Sequence, residues 1–233
     1  MDIQAILFDK DGTLFDFNKT WGCWFSNILN DLSKNDSKLR KEIAKVFKFD
    51  QNNETFFKNS PFIAESNSFL ITEVSPLLPN WEKYDLLEWF NKKGLEAVTV
   101  PVKGLKTSLL KLKKMNLILG VSTNDTEEGA NHQLNDYNLL GFFSFIAGSN
   151  SGFGTKPSPG MQNQFCKLTG IKPENILMVG DSLTDIKAGK NANMQTIGVL
   201  SGPATKEDLV NDADFVLNTI SDLPELIKKI NNN

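Results

Sequence analysis

Asp9 and Asp11 stand two residues apart just beyond the apolar run Ala5-Ile6-Leu7-Phe8. In an extended chain that spacing turns both carboxylates to one side and Lys10 to the other. Adjacent carboxylates repel unless a cation neutralises them, and a hard, oxygen-seeking ion such as Mg²⁺ suits that role. An acidic turn that caps the next segment through Gly12-Thr13 is the alternative for this pair. A second acidic group, Asp181 and Asp185 in Gly180-Asp181-Ser182-Leu183-Thr184-Asp185, follows another apolar run. Asp181 is placed to complete a metal site. Asp185, four residues on where a helix should open, is placed to hold a metal-bound water or to orient Asp181. Taken alone, this group also reads as a helix N-cap. Thr123 and Asn124 offer a hydroxyl and a backbone N–H at a third strand end, both suited to phosphoryl oxygens. Lys156, in Gly154-Thr155-Lys156-Pro157-Ser158-Pro159, is a point charge stiffened by two prolines. Together these residues point to phosphate rather than to a bare cation site.

Such groups need rigid carriers. Ala5–Phe8, Leu117–Val121 and Ile176–Val179 are apolar runs that each end in oxygen-bearing side chains, the pattern of buried strands. Weaker strand candidates are Phe145–Ala147, Thr196–Val199 and Phe215–Leu217. Leu105, Leu109 and Leu112 recur at helical spacing, and Leu223–Ile230 is similarly amphipathic. Strands alternating with helices predict an α/β fold, a doubly wound, Rossmann-like parallel sheet covered on both faces. Ligands of such sheets bind at the carboxyl ends of the strands, where the polar residues sit here.

From roughly Phe17 to Val98 no strand pattern stands out. Aromatic-rich helical segments lie around Trp21–Leu32, Leu39–Phe47, Phe69–Leu77 and Tyr84–Phe90. This stretch is too long for a loop. It predicts an inserted α-helical domain over 17–98, with 1–16 and 99–233 forming the α/β core and hinges near Asp16–Asn18 and Thr99–Pro101. The alternative is that these helices simply cover the sheet. Trp21, Trp24, Phe25, Phe47 and Phe49 read as the core of the insertion rather than as a substrate pocket.

The 233 residues are 40% hydrophobic and 23% charged, the profile of a soluble globular protein. With 25 Lys+Arg against 28 Asp+Glu the net charge is −3, and Arg40 is the only arginine. Nucleic-acid binding is not expected, because phosphate-backbone contacts need clustered basic side chains and base readout leans on arginine. Arg40 and the scattered lysines read as solvated. Cys23 and Cys166 are too few and too distant for a disulfide framework, and read as buried thiols in a reducing compartment. No basic n-region precedes the first apolar stretch, and no apolar run approaches the ~20 residues of a membrane span. A cytoplasmic protein without a membrane partner is expected. His132, the only histidine, lies in a polar helical stretch and carries no role in this chemistry.

The chain resembles the haloacid dehalogenase superfamily, on its phosphoglycolate phosphatase-like branch, over essentially its whole length. The family's first motif matches Asp9-Lys10-Asp11-Gly12-Thr13-Leu14, the second Thr123 in Ser122-Thr123-Asn124, the third Lys156, and the fourth Gly180-Asp181-Ser182-Leu183-Thr184-Asp185. The insertion falls where the family carries a cap domain between its first two motifs. The resemblance implies that Asp9 attacks phosphorus and forms an aspartyl-phosphate. It implies that Asp11 protonates the leaving oxygen and later deprotonates the attacking water. It further implies Mg²⁺ held by Asp9, Asp11, Asp181 and the Asp11 carbonyl, with Asp185 in support. Lys156 would neutralise the phosphate and Asp9, with Thr123 and Asn124 completing the cradle. The dehalogenases of the superfamily need no acid two residues after the nucleophile, so Asp11 favours phosphoryl chemistry.

The chain departs from its relatives at Phe15-Asp16-Phe17, which retains an Asp but lacks the Ser that often follows it. A small phosphate monoester is the implied substrate, with phosphoglycolate first, and the chain is expected as a monomer or homodimer. A phosphomutase of the β-phosphoglucomutase kind would use the same two aspartates. A receiver-type signalling protein also combines an acidic Mg²⁺ pocket with Thr and Lys, but carries its aspartate on a middle strand and lacks such an insertion.

Overall fold

The computed structural model describes residues 2–232. The tetrad Ala5–Phe8 forms strand β1 with all four residues buried. Helix α1 (Phe17–Ser33) follows, then α2 (Ser37–Val46), β2 (Phe49–Asp50), β3 (Thr55–Phe56), α3 (Asn67–Val74) and α4 (Lys83–Leu95). The chain returns through α5 (Leu105–Lys114), β4 (Ile118–Ser122), α6 (Glu127–Asp136), β5 (Phe145–Ala147) and α7 (Gly160–Thr169). It ends with β6 (Ile176–Gly180), α8 (Leu183–Asn191), β7 (Gln195–Val199), α9 (Lys206–Leu209), β8 (Phe215–Leu217) and α10 (Leu223–Asn232).

The six strands β5-β4-β1-β6-β7-β8 form one parallel sheet. Ile6 and Phe8 face a layer that contains Leu105, Leu109 and Leu112 of α5 and Leu223 and Ile227 of α10. Ala5 and Leu7 face the opposite layer with Met161 and Phe165 of α7. Coverage on both faces explains why these strands read as continuous apolar runs rather than as alternating ones. Because β4 and β5 lie on one side of β1 and β6, β7 and β8 on the other, the strand order reverses at β1, and a crevice opens at the carboxyl ends of β4, β1 and β6.

The segment between β1 and α5 has an apolar cluster of its own, built from side chains such as Phe25, Phe47, Leu86 and Phe90. Its aromatic rings pack edge-on, tilted or stacked, with Phe56 stacked on Phe62 at 4.5 Å and Phe25 tilted on Phe47 at 4.6 Å. The two connections to the sheet lie side by side: Asp16 N–H donates to Val100 O at 2.8 Å, and Val102 N–H to Leu14 O at 3.0 Å. Asp16 also caps α1 by accepting from Lys19 N–H at 3.1 Å.

Three expectations change. The insertion contains the hairpin β2–β3, whose two-residue strands are too short to show a period-two pattern. Its turn is set by Asp50, whose Oδ1 accepts the amides of Asn52 and Asn53 at 2.9 and 3.3 Å. Arg40 is not a free surface charge, since it donates to Gln51 Oε1 at 2.9 Å and Ser26 O at 3.3 Å and ties α2 to α1 and the hairpin. Neither cysteine is fully buried: Cys23 is exposed and Cys166 partly so. Cys23 lies on the face of α1 opposite the buried Trp21, Trp24, Phe25 and Ile28. No helix of the described residues is long and apolar enough to cross a membrane.

Candidate active site

Asp9 continues β1 by one residue, donating its N–H to Val179 O at 2.8 Å. Beyond it the chain is no longer extended. Lys10 O gathers the amides of Thr13, Leu14 and Phe15, a tight turn made possible by Gly12 at φ +89°. Lys156 Nζ reaches Asp9 Oδ1 and Asp185 Oδ1, both at 2.6 Å, and Ser122 O at 2.9 Å. All three ammonium donors are thereby used. Asn124 fixes the backbone that carries this lysine, accepting from Lys156 N–H at 2.8 Å and donating to Lys156 O at 3.0 Å. Its Nδ2 also donates to Ala64 O of the insertion at 2.6 Å. Asp185 serves twice. Its Oδ2 closes the α8 capping box with Ser182 N–H and hydroxyl at 3.1 and 2.6 Å, while Oδ1 takes Lys156.

Asp9, Asp181 and Asp185 each bring a carboxylate oxygen within 4.8 Å of the others, and all three are buried. One ammonium faces three carboxylates, so a cation is required for all three to ionise. Asp181 Oδ2 is buried without any hydrogen-bond partner. The backbone crowds this carboxylate closely, because a Cβ on Gly12 would lie 2.4 Å from Asp181 Cγ and one on Gly202 1.8 Å from Oδ2. Burial, with Asp185 and Asp11 nearby, raises the Asp9 carboxyl to about 7 against the opposing pull of Lys156. Burial beside Asp9 and Asp185 likewise holds the Asp181 carboxyl well above the usual carboxylate range. For Lys156, burial works against the charge, but the attraction of Asp185 and Asp9 outweighs it and raises the ammonium above its ordinary value. An all-oxygen donor set with one orphaned carboxylate oxygen fits a hard divalent cation.

Asp11 does not join that cluster. The turn after Asp9 ends the alternation, so Asp11 and Lys10 swing together rather than apart. Lys10 is fully buried, with Nζ 2.6 Å from Asp11 Oδ2 and 3.1 Å from Asp125 Oδ2, and it also donates to Gln133 Oε1. Trp21 of α1 closes this network, its Nε1 donating to Asp11 Oδ1 at 2.9 Å and its ring lying 5.5 Å from Lys10 Nζ. Burial disfavours the Lys10 charge, yet Asp11 and Asp125 more than offset it and raise the ammonium. Lys10, Asp125 and Trp21 are the participants that motif reading passed over. The signal was a lysine between a buried strand and a glycine turn, where no solvated position is available.

Thr123 follows β4, donating its N–H to Ala147 O at 2.9 Å while its hydroxyl oxygen accepts from Asp125 N–H at 3.1 Å. That arrangement leaves the hydroxyl proton to be donated. The backbone N–H groups of Lys10, Asp11 and Asn124 donate to no backbone carbonyl among the described residues. Asp9, Asp11, Thr123, Asn124, Lys156, Asp181 and Asp185 line one cavity of about 60 Å³, closed on its other side by the insertion. Phe17, Trp21 and Trp24 contribute to that wall as well as to the core of the insertion. Arg40 and His132 do not line it.

Residues 6–199 match the family described as haloacid dehalogenase-like hydrolase. The phosphoglycolate phosphatase of Aquifex aeolicus is 30% identical over 228 residues, 97% of each chain. The pyrophosphatase PpaX of Bacillus mycoides is 27% identical over 234 residues, 99% of this chain and 100% of its own. Among solved structures, CbbY from Rhodobacter sphaeroides in complex with phosphate superposes with a TM-score of 0.68 at 18% identity, over 95% of this chain and 96% of that one. The L-2-haloacid dehalogenase of Xanthobacter autotrophicus gives 0.64 at 16% identity, over 97% and 98%, a likeness of fold.

Proposed function

The chain belongs to the haloacid dehalogenase-like hydrolases and is a phosphatase of that family. On that premise we propose that it hydrolyses a small phosphate monoester in a Mg²⁺-dependent reaction through an aspartyl-phosphate on Asp9. The observation that carries this reading is the shared ammonium of Lys156, bound to Asp9 and Asp185 beside the partnerless Asp181 Oδ2.

Asp9, Asp181 and Asp185 would hold Mg²⁺, whose charge when bound offsets the repulsion between the Asp9 carboxylate and the phosphate. Asp9 attacks phosphorus, the ester P–O bond breaks, and Asp11 gives the leaving oxygen a proton. Asp11 then takes a proton from a water that attacks the aspartyl-phosphate, releasing phosphate and regenerating Asp9. Lys156 neutralises the phosphoryl group as it approaches Asp9. The Thr123 hydroxyl and the Lys10, Asp11 and Asn124 N–H groups donate to its oxygens. Residues 17–98 act as a cap over the α/β core of 1–16 and 99–233, excluding bulk water from the acyl phosphate.

Phosphate release from a panel of small esters, with Mg²⁺ and with EDTA, tests this reading, with Asp9→Asn as control. Mg²⁺-dependent release that the variant lacks is expected. A phosphomutase would release no net phosphate in the same assay, and that result would overturn the proposal. Phosphoglycolate and pyrophosphate, named by the relatives, belong on the panel.

A further inference from the structure

Charge on the cap side of the cavity bears on the leaving group. The phosphate is met by core residues, so whatever it is esterified to must face the cap. There the wall is mainly apolar, with Trp21, Trp24, Phe62 and Phe90 among its aromatic rings and Asn67 and Glu65 as its polar side chains. No cap lysine or arginine lines this cavity, and Lys156, its one cation, is already shared by Asp9 and Asp185.

The donors on this wall are also largely used. Trp21 Nε1 donates to Asp11, Trp24 Nε1 to Lys93 O at 2.7 Å, and Asn67 Nδ2 to Asn91 Oδ1 at 2.9 Å. The α3 N-terminus opens beside Asn67, and a helix start favours negative charge. Glu65 stands one residue before the α3 cap Ser66, next to that helix start in the chain. Glu65 is exposed and forms no ion pair among the described residues. A carboxylate or second phosphate on the leaving group would therefore meet an aromatic surface and a carboxylate, since the cap lysines that share a cavity with Glu65, Lys48 and Lys58, line the neighbouring one and not this one.

We infer that the leaving group is uncharged or cationic and largely apolar, and that Glu65 selects against anionic leaving groups. The inference rests on the phosphatase reading above and narrows it away from phosphoglycolate and pyrophosphate. An aromatic or aliphatic alcohol, or an amino alcohol whose ammonium pairs with Glu65, fits the wall.

The test compares phosphoglycolate, benzyl phosphate and phosphoethanolamine, esters of alcohols that are all poor leaving groups, so that binding rather than leaving-group chemistry separates them. The wild-type enzyme with Mg²⁺ is expected to show kcat/KM for benzyl phosphate or phosphoethanolamine at least about ten-fold above that for phosphoglycolate. In Glu65→Lys the phosphoglycolate value should rise by about ten-fold and the phosphoethanolamine value should fall, while Glu65→Gln lies between. Both substitutions fall at an exposed side chain, and thermal melts check that each variant keeps the fold. Phosphoglycolate as the preferred ester of the wild type would overturn the inference with the phosphatase reading intact. Preference unchanged in Glu65→Lys would overturn the role of Glu65. No phosphate release from any ester would overturn the phosphatase reading itself, and the inference with it.

Discussion

The indole N–H of Trp21, on the inserted helix α1, donates to Asp11 Oδ1 at 2.9 Å, while Lys10 holds Asp11 Oδ2 at 2.6 Å. Both oxygens of Asp11 are thus held as acceptors, one by Lys10 at the end of β1 and one by Trp21 of α1. The position of Asp11 therefore depends on where the cap sits. Trp21→Phe keeps an aromatic ring in the wall and removes the donor, at the cost of some packing against Trp24 and Phe62. A hydrogen bond to a charged group is worth roughly 1.5–3 kcal/mol, so kcat should fall by about ten-fold or more with little change in KM. Steady-state kinetics with thermal melts of the variant check this, and an unchanged kcat would remove Trp21 from the positioning of Asp11.

Lys156 separates Asp9 from Asp185, and without it three buried carboxylates share one pocket. Removing one partner of a buried ion pair costs roughly 3–5 kcal/mol, because the remaining charge is left uncompensated. Lys156→Met should therefore lower the melting temperature of the EDTA-treated protein and weaken turnover. Added Mg²⁺ should restore part of the lost stability. If the variant melts like wild type in EDTA, the ion pairs seen here do not hold the site together.

The raised carboxyls give a pH dependence of definite sign. Asp9 moves from 3.8 in the unfolded chain to about 7 in the fold, by burial and by Asp185 and Asp11, against Lys156. The folded protein thus keeps a proton that the unfolded chain has released. The contribution of this site to stability is greatest below pH 3.8, falls as pH rises, and levels off above about 7. Asp181 acts in the same direction. Metal binding requires ionised carboxylates, so Mg²⁺ should stabilise most at pH 7 and above. Asp181→Asn replaces a buried carboxyl whose ionisation is opposed by burial, Asp9 and Asp185 and whose Oδ2 has no partner. It should raise the melting temperature in EDTA at pH 8 and abolish the Mg²⁺ shift; calorimetry with and without metal reads both effects.

The sheet was legible because its central strands are buried on both faces and end abruptly in polar residues. Asp9, Thr123 and Asp181 follow from that pattern, since strand order brings the ends of β1, β4 and β6 together, whereas Lys156, in the loop between β5 and α7, was read from the two prolines after it and from the family motif. Lys10 and Asp11 were misplaced for a physical reason. Period-two reasoning holds only while the chain is extended, and the three amides gathered by Lys10 O bend it at once. The hairpin β2–β3 was too short for any period to show, and its determinant is the local bonding of Asp50. Arg40 has the sequence surroundings of a surface residue, and only the approach of Gln51 and Ser26 shows otherwise. The walls of the cavity were hidden because Trp21 and Trp24 pack the cap core and face the site at once.

Asp9 and Asp11 have separable roles, and the leaving group can be chosen to separate them. Asp9→Asn keeps an acceptor for Lys156 but cannot attack phosphorus, so turnover should vanish while the protein stays folded; retained activity would remove Asp9 from its assigned role. Asp11→Asn should slow alkyl esters by about 10²–10⁴-fold, because both the departure of the alcohol and the attack of water lose proton transfer. With p-nitrophenyl phosphate the first of these losses disappears, since p-nitrophenolate leaves without a proton. Formation of the aspartyl-phosphate then stays fast, and its hydrolysis, still lacking a base, becomes the slow step. Rapid mixing of Asp11→Asn with this ester should give a burst of about one p-nitrophenolate per active site followed by slow turnover. A burst that is absent, with slow turnover from the first instant, would mean that Asp11 is needed for the attack of Asp9 itself rather than for proton transfer.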